Sequence, residues 1–222
     1  MLPNLIIPVL NRYDLLQRCL DSINYPIGHL LIIDNGASQN PEDFELTIPE
    51  LVEETTYLPM PANLGVAESW NLGVKSFPFA ENWFFASNDV VFHGDALEKL
   101  SGAHTAHLTL SNVFPFWQVF SLGYEAATRV GLWDGSFFPA YFEDNDYLRR
   151  CDHYGVEVLK MDLNISHDNS STLKSSRHFQ DRNSKTFASN RDYFEWKKEH
   201  QDYGPGSWDV RRRKENAWEL DQ

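Results

Sequence analysis

Residues 5–36 read LIIPVLNRYDLLQRCLDSINYPIGHLLIIDNG, and this stretch decides the fold. LIIPVL, residues 5–10, is apolar without alternation, as in a strand buried on both faces. RYDLLQRCLDSI, residues 12–23, puts Leu15, Leu16, Cys19, Leu20 and Ile23 on one helical face. Pro26 and Gly28 end that unit. HLLIIDNG, residues 29–36, is a second buried strand that stops at the turn signal Asp34-Asn35-Gly36. Strand, helix and strand in this order predict a parallel pair joined by a helical crossover.

The alternation continues outward. TTYLPM (55–60) predicts a third, shorter strand and VAESWNLGVKSF (66–77) a helix. NWFFASNDVVF (82–92) predicts a fourth strand, broken by Ser87-Asn88-Asp89, and GDALEKLSG (94–102) a helix stopped by Gly102. About a hundred residues of this pattern imply an α/β fold, a mostly parallel sheet flanked by helices on both sides. The second half is less regular. HLTLSN (107–112), WQVFSL (117–122), VEVLKM (156–161) and NISHD (164–168) read as strands. GYEAATRVG (123–131), EDNDYLRRCDHYG (143–155) and residues 176–200 read as helices, the last carrying Phe179, Phe187, Tyr193, Phe194 and Trp196. There is no repeat and no low-complexity linker. The expected organisation is one α/β domain over 1–175, with a helical extension over 176–222 packed on it.

Bulk properties narrow the function classes. The chain has 222 residues, 42% hydrophobic, and a formal net charge of −13. That charge argues against nonspecific binding to a nucleic-acid backbone. The basic run VRRRK (210–214) is short and followed by acids, so it reads as a solvated face. No apolar run reaches the roughly 18–20 residues of a membrane span. The N-terminal residues read as a strand, not a signal peptide. Only two cysteines occur, Cys19 and Cys151, each in a helical pattern, which points to a reducing cytoplasm.

Ligands of open α/β sheets bind beyond the carboxyl ends of the strands. The four predicted strand ends carry Pro8 to Asn11, Asp34-Asn35, Asn63-Leu64-Gly65 and Asn88-Asp89. Taken singly, Asp34-Asn35-Gly36 is also an ordinary turn and Asn63 an ordinary helix cap. Asn88-Asp89 interrupts an apolar strand, where a carboxylate is costly unless paired or metal-bound. Four such clusters on one edge point to a binding crevice. Neither G-x-G-x-x-G nor G-x-x-x-x-G-K-[ST] occurs, which argues against a dinucleotide dehydrogenase and a P-loop NTPase. A nucleoside diphosphate held without a glycine-rich loop needs another counter-charge, and a divalent cation on a strand-end carboxylate supplies one.

PAYFEDND, residues 139–146, has two readings. Acids suit the first turn of a helix. The same acids behind Tyr141 and Phe142 also suit a base at the mouth of a pocket.

Four segments resemble the GT-A glycosyltransferases of family 2, especially small rhamnosyltransferase-like members. They are IIPVLNRYDLLQRCLDSI, LLIIDNGAS, NLGVAESWNLGV and VGLWDGSFFPAYFEDNDYLRRC. The likeness reaches from residue 5 to about 168 and is weak beyond Ser176, at RDYFEWKKE. It implies that Pro8 and Asn11 frame the base and ribose, that Asp34 bonds the base, and that Asn63 and Gly65 let the backbone approach the nucleotide. Ser87-Asn88-Asp89 stands at the family's D-x-D motif, with Asp89 the metal ligand and Ser87 replacing the first acid. His167 matches a late histidine that completes the metal shell. Asp144 matches the base, Glu143 a sugar or acceptor contact, and Trp133-Asp134 the acceptor side, although a loop Trp packed on the core is an equal reading of Trp133.

The resemblance thus implies an inverting transferase using Mn²⁺ or Mg²⁺. Its donor is a nucleoside diphosphate sugar, with UDP favoured, and its acceptor a saccharide or protein hydroxyl. Ser87 in an acid's place keeps open a second class, a nucleotide-sugar or carbohydrate binding module without turnover. A sugar nucleotidyltransferase would want a basic, glycine-rich loop after the first strand, which VLNRYD is not.

Overall fold

Strand β1 (Leu5–Val9) has two apolar faces: Ile6 enters one core, Leu5 and Ile7 the other. It therefore occupies the interior of a seven-stranded sheet, because residues alternate across a strand and both sides must be covered. The computed structural model describes residues 1–37, 45–168 and 177–204, side chains of 177–185 excepted. The run VRRRK and the side chain of Phe179 lie outside the described residues.

The strands are β1, β2 (Ile27–Asp34), β3 (Val52–Pro59), β4 (Asn82–Ala86), β5 (Val90–Phe92), β6 (Leu108–Ser111), β7 (Val119–Gly123), β8 (Val158–Met161) and β9 (Ile165–His167). The helices are α1 (Tyr13–Asp21), α2 (Val66–Ser76), α3 (Ala96–Ser101), α4 (Tyr124–Val130), α5 (Glu143–His153) and α6 (Arg177–Glu199). The sheet order is β3-β2-β1-β4-β7-β6-β8. β7 alone runs against the others, pairing antiparallel with β4 and β6. The sheet is thus mostly parallel, as the apolar runs predict.

Helices α2, α4 and α5 cover one face through Trp70, Val74, Ala127, Val130, Tyr147 and Cys151. Helices α1 and α3 cover the other through Leu16, Cys19, Leu20, Leu97 and Leu100. Among the described residues no helix is long and apolar enough to cross a membrane.

Two sequence expectations change. The third strand starts three residues earlier than TTYLPM, at Val52. The fourth does not resume after its polar break. It stops at Ala86, a turn closes from Val90 N–H to Ser87 O (3.3 Å), and Val90–Phe92 joins β9 in a separate two-stranded sheet. The polar triplet ends the strand because its groups are used elsewhere, at the carboxyl edge.

Candidate active site

The register puts Val9 beside Asp34 and Asp34 beside Pro59, so β1, β2 and β3 end together. Asp34 is 1% exposed. Its carboxylate accepts the Tyr13 hydroxyl at 2.9 Å, the Gly36 N–H at 2.8 Å and the Tyr57 hydroxyl. Burial first, then the bond to Asp34, pushes both phenols well above their ordinary range. Gly36 is small for a reason: a Cβ there would stand 1.9 Å from the Leu10 carbonyl oxygen. Asn35 then links this edge to α2. It donates to Ser69 Oγ (2.9 Å) and accepts Leu64 N–H (3.0 Å).

Beyond β4, the buried Asn88 donates to the Asn11 carbonyl at 3.1 Å. It thereby ties down the loop after β1, where Arg12 is left-handed at φ 59°. Asp89 and His167 are both nearly buried, and His167 Nε2 lies 3.1 Å from Asp89 Oδ1. Pairing of β5 with β9 sets this contact, since Val90 is opposite His167. Asp168 continues the cluster outward in an ion pair with Arg18 at 2.5 Å. Pro8, half-buried, lies opposite Ile33 in the same strand set.

At the third strand end, Asn63 Oδ1 accepts the Gly65 N–H at 2.8 Å. Gly65 is left-handed (φ 80°), and a Cβ on it would meet the Pro139 carbonyl oxygen at 2.8 Å. The close approach that this glycine permits is therefore to the chain's own 133–142 loop. Val66 N–H completes the junction, donating to Pro139 O at 2.8 Å. The loop is fixed a second time by Asn71, whose side chain donates to Trp133 O and accepts from Trp133 N, both at 2.9 Å.

Of the two readings of Trp133, the structure supports the packed one. Its ring is 1% exposed and stacks on Tyr147 at 4.6 Å, with Trp70, Phe85 and Phe120 around it. A ring so enclosed touches no acceptor, and apolar packing drew it into the core instead.

The loop delivers Glu143 and Asp144 to the start of α5. Glu143 is buried, its Oε2 has no hydrogen-bond partner, and burial, then the charge of Asp144, pushes its pKa well up. Asp144 is half-buried, and burial raises it too, although backbone N–H groups pull the other way. Both acids follow the loop that Val66 N–H holds at Pro139 O, and Asp89 follows the carboxyl end of β4.

Helix α6 closes the far side of this loop. Phe187 packs on Tyr141 and Phe142, Phe194 on Phe142, and Tyr193 on Phe137. Beneath them the fully buried Lys197 donates to Asp134 (2.7 Å) and Asp146 (3.2 Å). Burial pushes Asp134 up, but Lys197 and the Ser136 N–H outweigh it and hold the carboxyl below its usual range. Asp146 also pairs with Arg149 (3.3 Å), as their one-turn spacing predicts, and with Arg150 (2.9 Å). Sequence reasoning missed Asn71, Asn190 and Lys197 as parts of this site's frame. Asn71 alone left a signal, as the second asparagine of the segment NLGVAESWNLGV.

No protein-family model matches the chain, and no curated protein matches it. Solved structures do. TarS of S. aureus superposes with a TM-score of 0.52 at 11% identity, over 73% of this chain and 35% of that one. The catalytic domain of Drosophila β1,4-galactosyltransferase 7 with xylobiose gives 0.50 at 12% identity, over 78% and 72%. A mutant of the same Drosophila enzyme, in complex with manganese, UDP-Gal and xylobiose, gives 0.50 at 11% identity, again over 78% and 72%. The chain thus spans about a third of TarS. The fold they share is GT-A-like.

Proposed function

We propose that the protein moves a sugar from a nucleoside diphosphate sugar, UDP-sugar favoured, to the hydroxyl of a saccharide or protein acceptor, with inversion. The observation that carries this reading is the nearly buried Asp89–His167 contact of 3.1 Å beyond the carboxyl end of β4. The Asp89 carboxylate is the oxygen ligand that Mn²⁺ or Mg²⁺ takes, and the His167 imidazole beside it, a softer ligand, suits Mn²⁺ better than Mg²⁺. Among the described residues no set of three His, Cys, Asp or Glu groups gathers. Two protein ligands still fit, because such ions are commonly bound by one or two carboxylates plus substrate phosphates. Asp89 and His167 would hold the ion, which when bound supplies positive charge to the diphosphate. The galactosyltransferase mutant with manganese and UDP-Gal supports the same reading by likeness of fold.

The chain's own residues do the rest. Asp34 has about four acceptor positions. Tyr13 reaches both of its oxygens and Tyr57 and Gly36 one each, so an N–H of the base would bond Asp34 by displacing one of these hydroxyls. Asn88 and Asn11 shape the loop beside the ribose, and Pro8 and Asn63 line the same edge. Asp144 accepts the acceptor proton while that oxygen bonds to the anomeric carbon and the bond to the diphosphate breaks. Its raised pKa makes it a better base than an ordinary aspartate. Glu143 beside it would contact sugar or acceptor.

The test is release of nucleoside diphosphate from a panel of nucleotide sugars with Mn²⁺. Wild type should turn over, and Asp144→Asn should lose about 10²–10⁴-fold in kcat with donor affinity unchanged. Near-wild-type transfer by that variant sinks the base. Ser87 in an acid's place favours a second reading, a binding module without turnover. Donor binding without release from any donor would establish it.

A further inference from the structure

Tyr141 and Phe142, the two residues before Glu143, are both left-handed, with φ of 79° and 73°. Such backbone is unfavourable for residues with large side chains and persists only where the surroundings over-determine it. What determines it here comes from α6. Asn190 is 4% exposed, and its Nδ2 donates to the Ala140 carbonyl at 2.8 Å and the Tyr141 carbonyl at 3.3 Å. One amide thus holds two successive carbonyls where the chain turns left-handed. Phe187 and Phe194 of the same helix press on the two aromatic rings from outside. On the inner side Val66 N–H grips Pro139 O. The turn then starts α5, where Asp146 N–H bonds to Phe142 O at 2.9 Å.

We propose that Asn190 is a positioning residue: from the C-terminal helix it fixes the left-handed Tyr141–Phe142 turn and thereby sets the aim of Glu143 and Asp144 at the start of α5. The extension over α6 is on this account part of the active-site frame. The assignment rests on the transferase reading for its catalytic consequence, but its structural claim stands by itself. The energetic logic is that of a loaded turn. Two residues in an unfavourable conformation relax when their restraint goes, and the helix that follows swings with them. A displacement near 1 Å at a reacting group can cost about 100-fold in rate.

Two measurements on the full chain test it. The first is hydrogen–deuterium exchange over residues 138–148 in wild type, Asn190→Ala and Asn190→Gln. Asn190→Ala should raise exchange there about tenfold and leave β1 and β2 unchanged, and Asn190→Gln, which keeps the amide on a longer stem, should recover part of the protection. The second is steady-state release of UDP from the best UDP-sugar with Mn²⁺. Asn190→Ala should lower kcat about 100-fold with donor KM unchanged, whereas a purely structural role would lower the active fraction, leaving no recovery in Asn190→Gln at equal thermal stability. Unchanged exchange at 138–148 overturns the proposal, and so does a loosened turn with unaltered kcat. If wild type releases no UDP from any donor, the transferase reading falls, and the exchange experiment alone still decides whether Asn190 holds the turn.

Discussion

His167 Nε2 stands 3.1 Å from Asp89 Oδ1, although 78 residues separate them in sequence (167 − 89). The short β5–β9 ladder makes this meeting, and both side chains are nearly buried. Buried ionisable pairs at a sheet's ligand edge are candidates for binding. Isothermal titration of UDP with Mn²⁺, and again with EDTA, measures what the pair does. Mn²⁺ should tighten UDP in wild type. Asp89→Asn and His167→Gln should each cut that gain by at least about tenfold while leaving metal-free binding unchanged. Equal Mn²⁺ dependence in all three proteins would remove the pair from the metal site.

Glu143 sets a pH dependence whose sign is fixed. Burial, then the charge of Asp144, pushes it well above the ordinary glutamate value of 4.5. The folded chain therefore holds this proton where the unfolded chain releases it. The resulting stability is fully present below the unfolded value and is lost as pH rises through the raised folded one. Glu143→Gln cannot ionise. The stability of wild type relative to this variant in urea should fall as pH rises from 4 to 8. Asp144, raised in the same direction, leaves a residual slope in the variant. Parallel stability profiles for the two proteins would contradict the assignment.

Trp133 separates core from site. Enclosed by Trp70, Tyr147 and Phe120, it should behave as a packing residue. Trp133→Ala should cost about 3–5 kcal/mol by chemical denaturation. Trp133→Phe, which keeps a ring, should leave donor and acceptor KM unchanged. A selective rise in acceptor KM for Trp133→Phe would return this residue to the binding surface.

The fold was readable because parallel strands buried on both faces are written as unbroken apolar runs, and LIIPVL and HLLIIDNG are such runs. Asp34, Asn88 and Asp89 stand out for the opposite reason, as polar groups where those runs stop. Trp133 does not. A Trp-Asp pair in a loop reads the same whether its ring faces ligand or core, and only the ring of Tyr147, 14 positions on (147 − 133), decides. Asn190 and Lys197 were invisible as well. Each is one polar residue on a mostly polar helix, and their partners Ala140 and Asp134 lie 50 and 63 positions away. Long-range hydrogen bonds of this kind leave no periodic trace.

Lys197 offers the sharpest stability test, because its partners lose unequally when it is removed. It is 0% exposed and bonds Asp134, Asp146 and the Gly204 carbonyl. Without it, Asp146 still has Arg149 and Arg150. Asp134 keeps only the Tyr193 hydroxyl at 3.0 Å and the Ser136 N–H, neither of them a full charge. Breaking a buried pair from one side costs about 3–5 kcal/mol, mostly through the charge left behind. Lys197→Met should therefore destabilise by about that much in urea. Adding Asp134→Asn removes the stranded carboxylate and should recover part of the loss, giving a coupling of about 0.5–3 kcal/mol in the double-mutant cycle. Adding Asp146→Asn to Lys197→Met instead should deepen the loss, since it strands Arg150 in the core. The two double variants thus move in opposite directions from the same single one, and additive losses in both would mean that Lys197 does not hold α6 through Asp134.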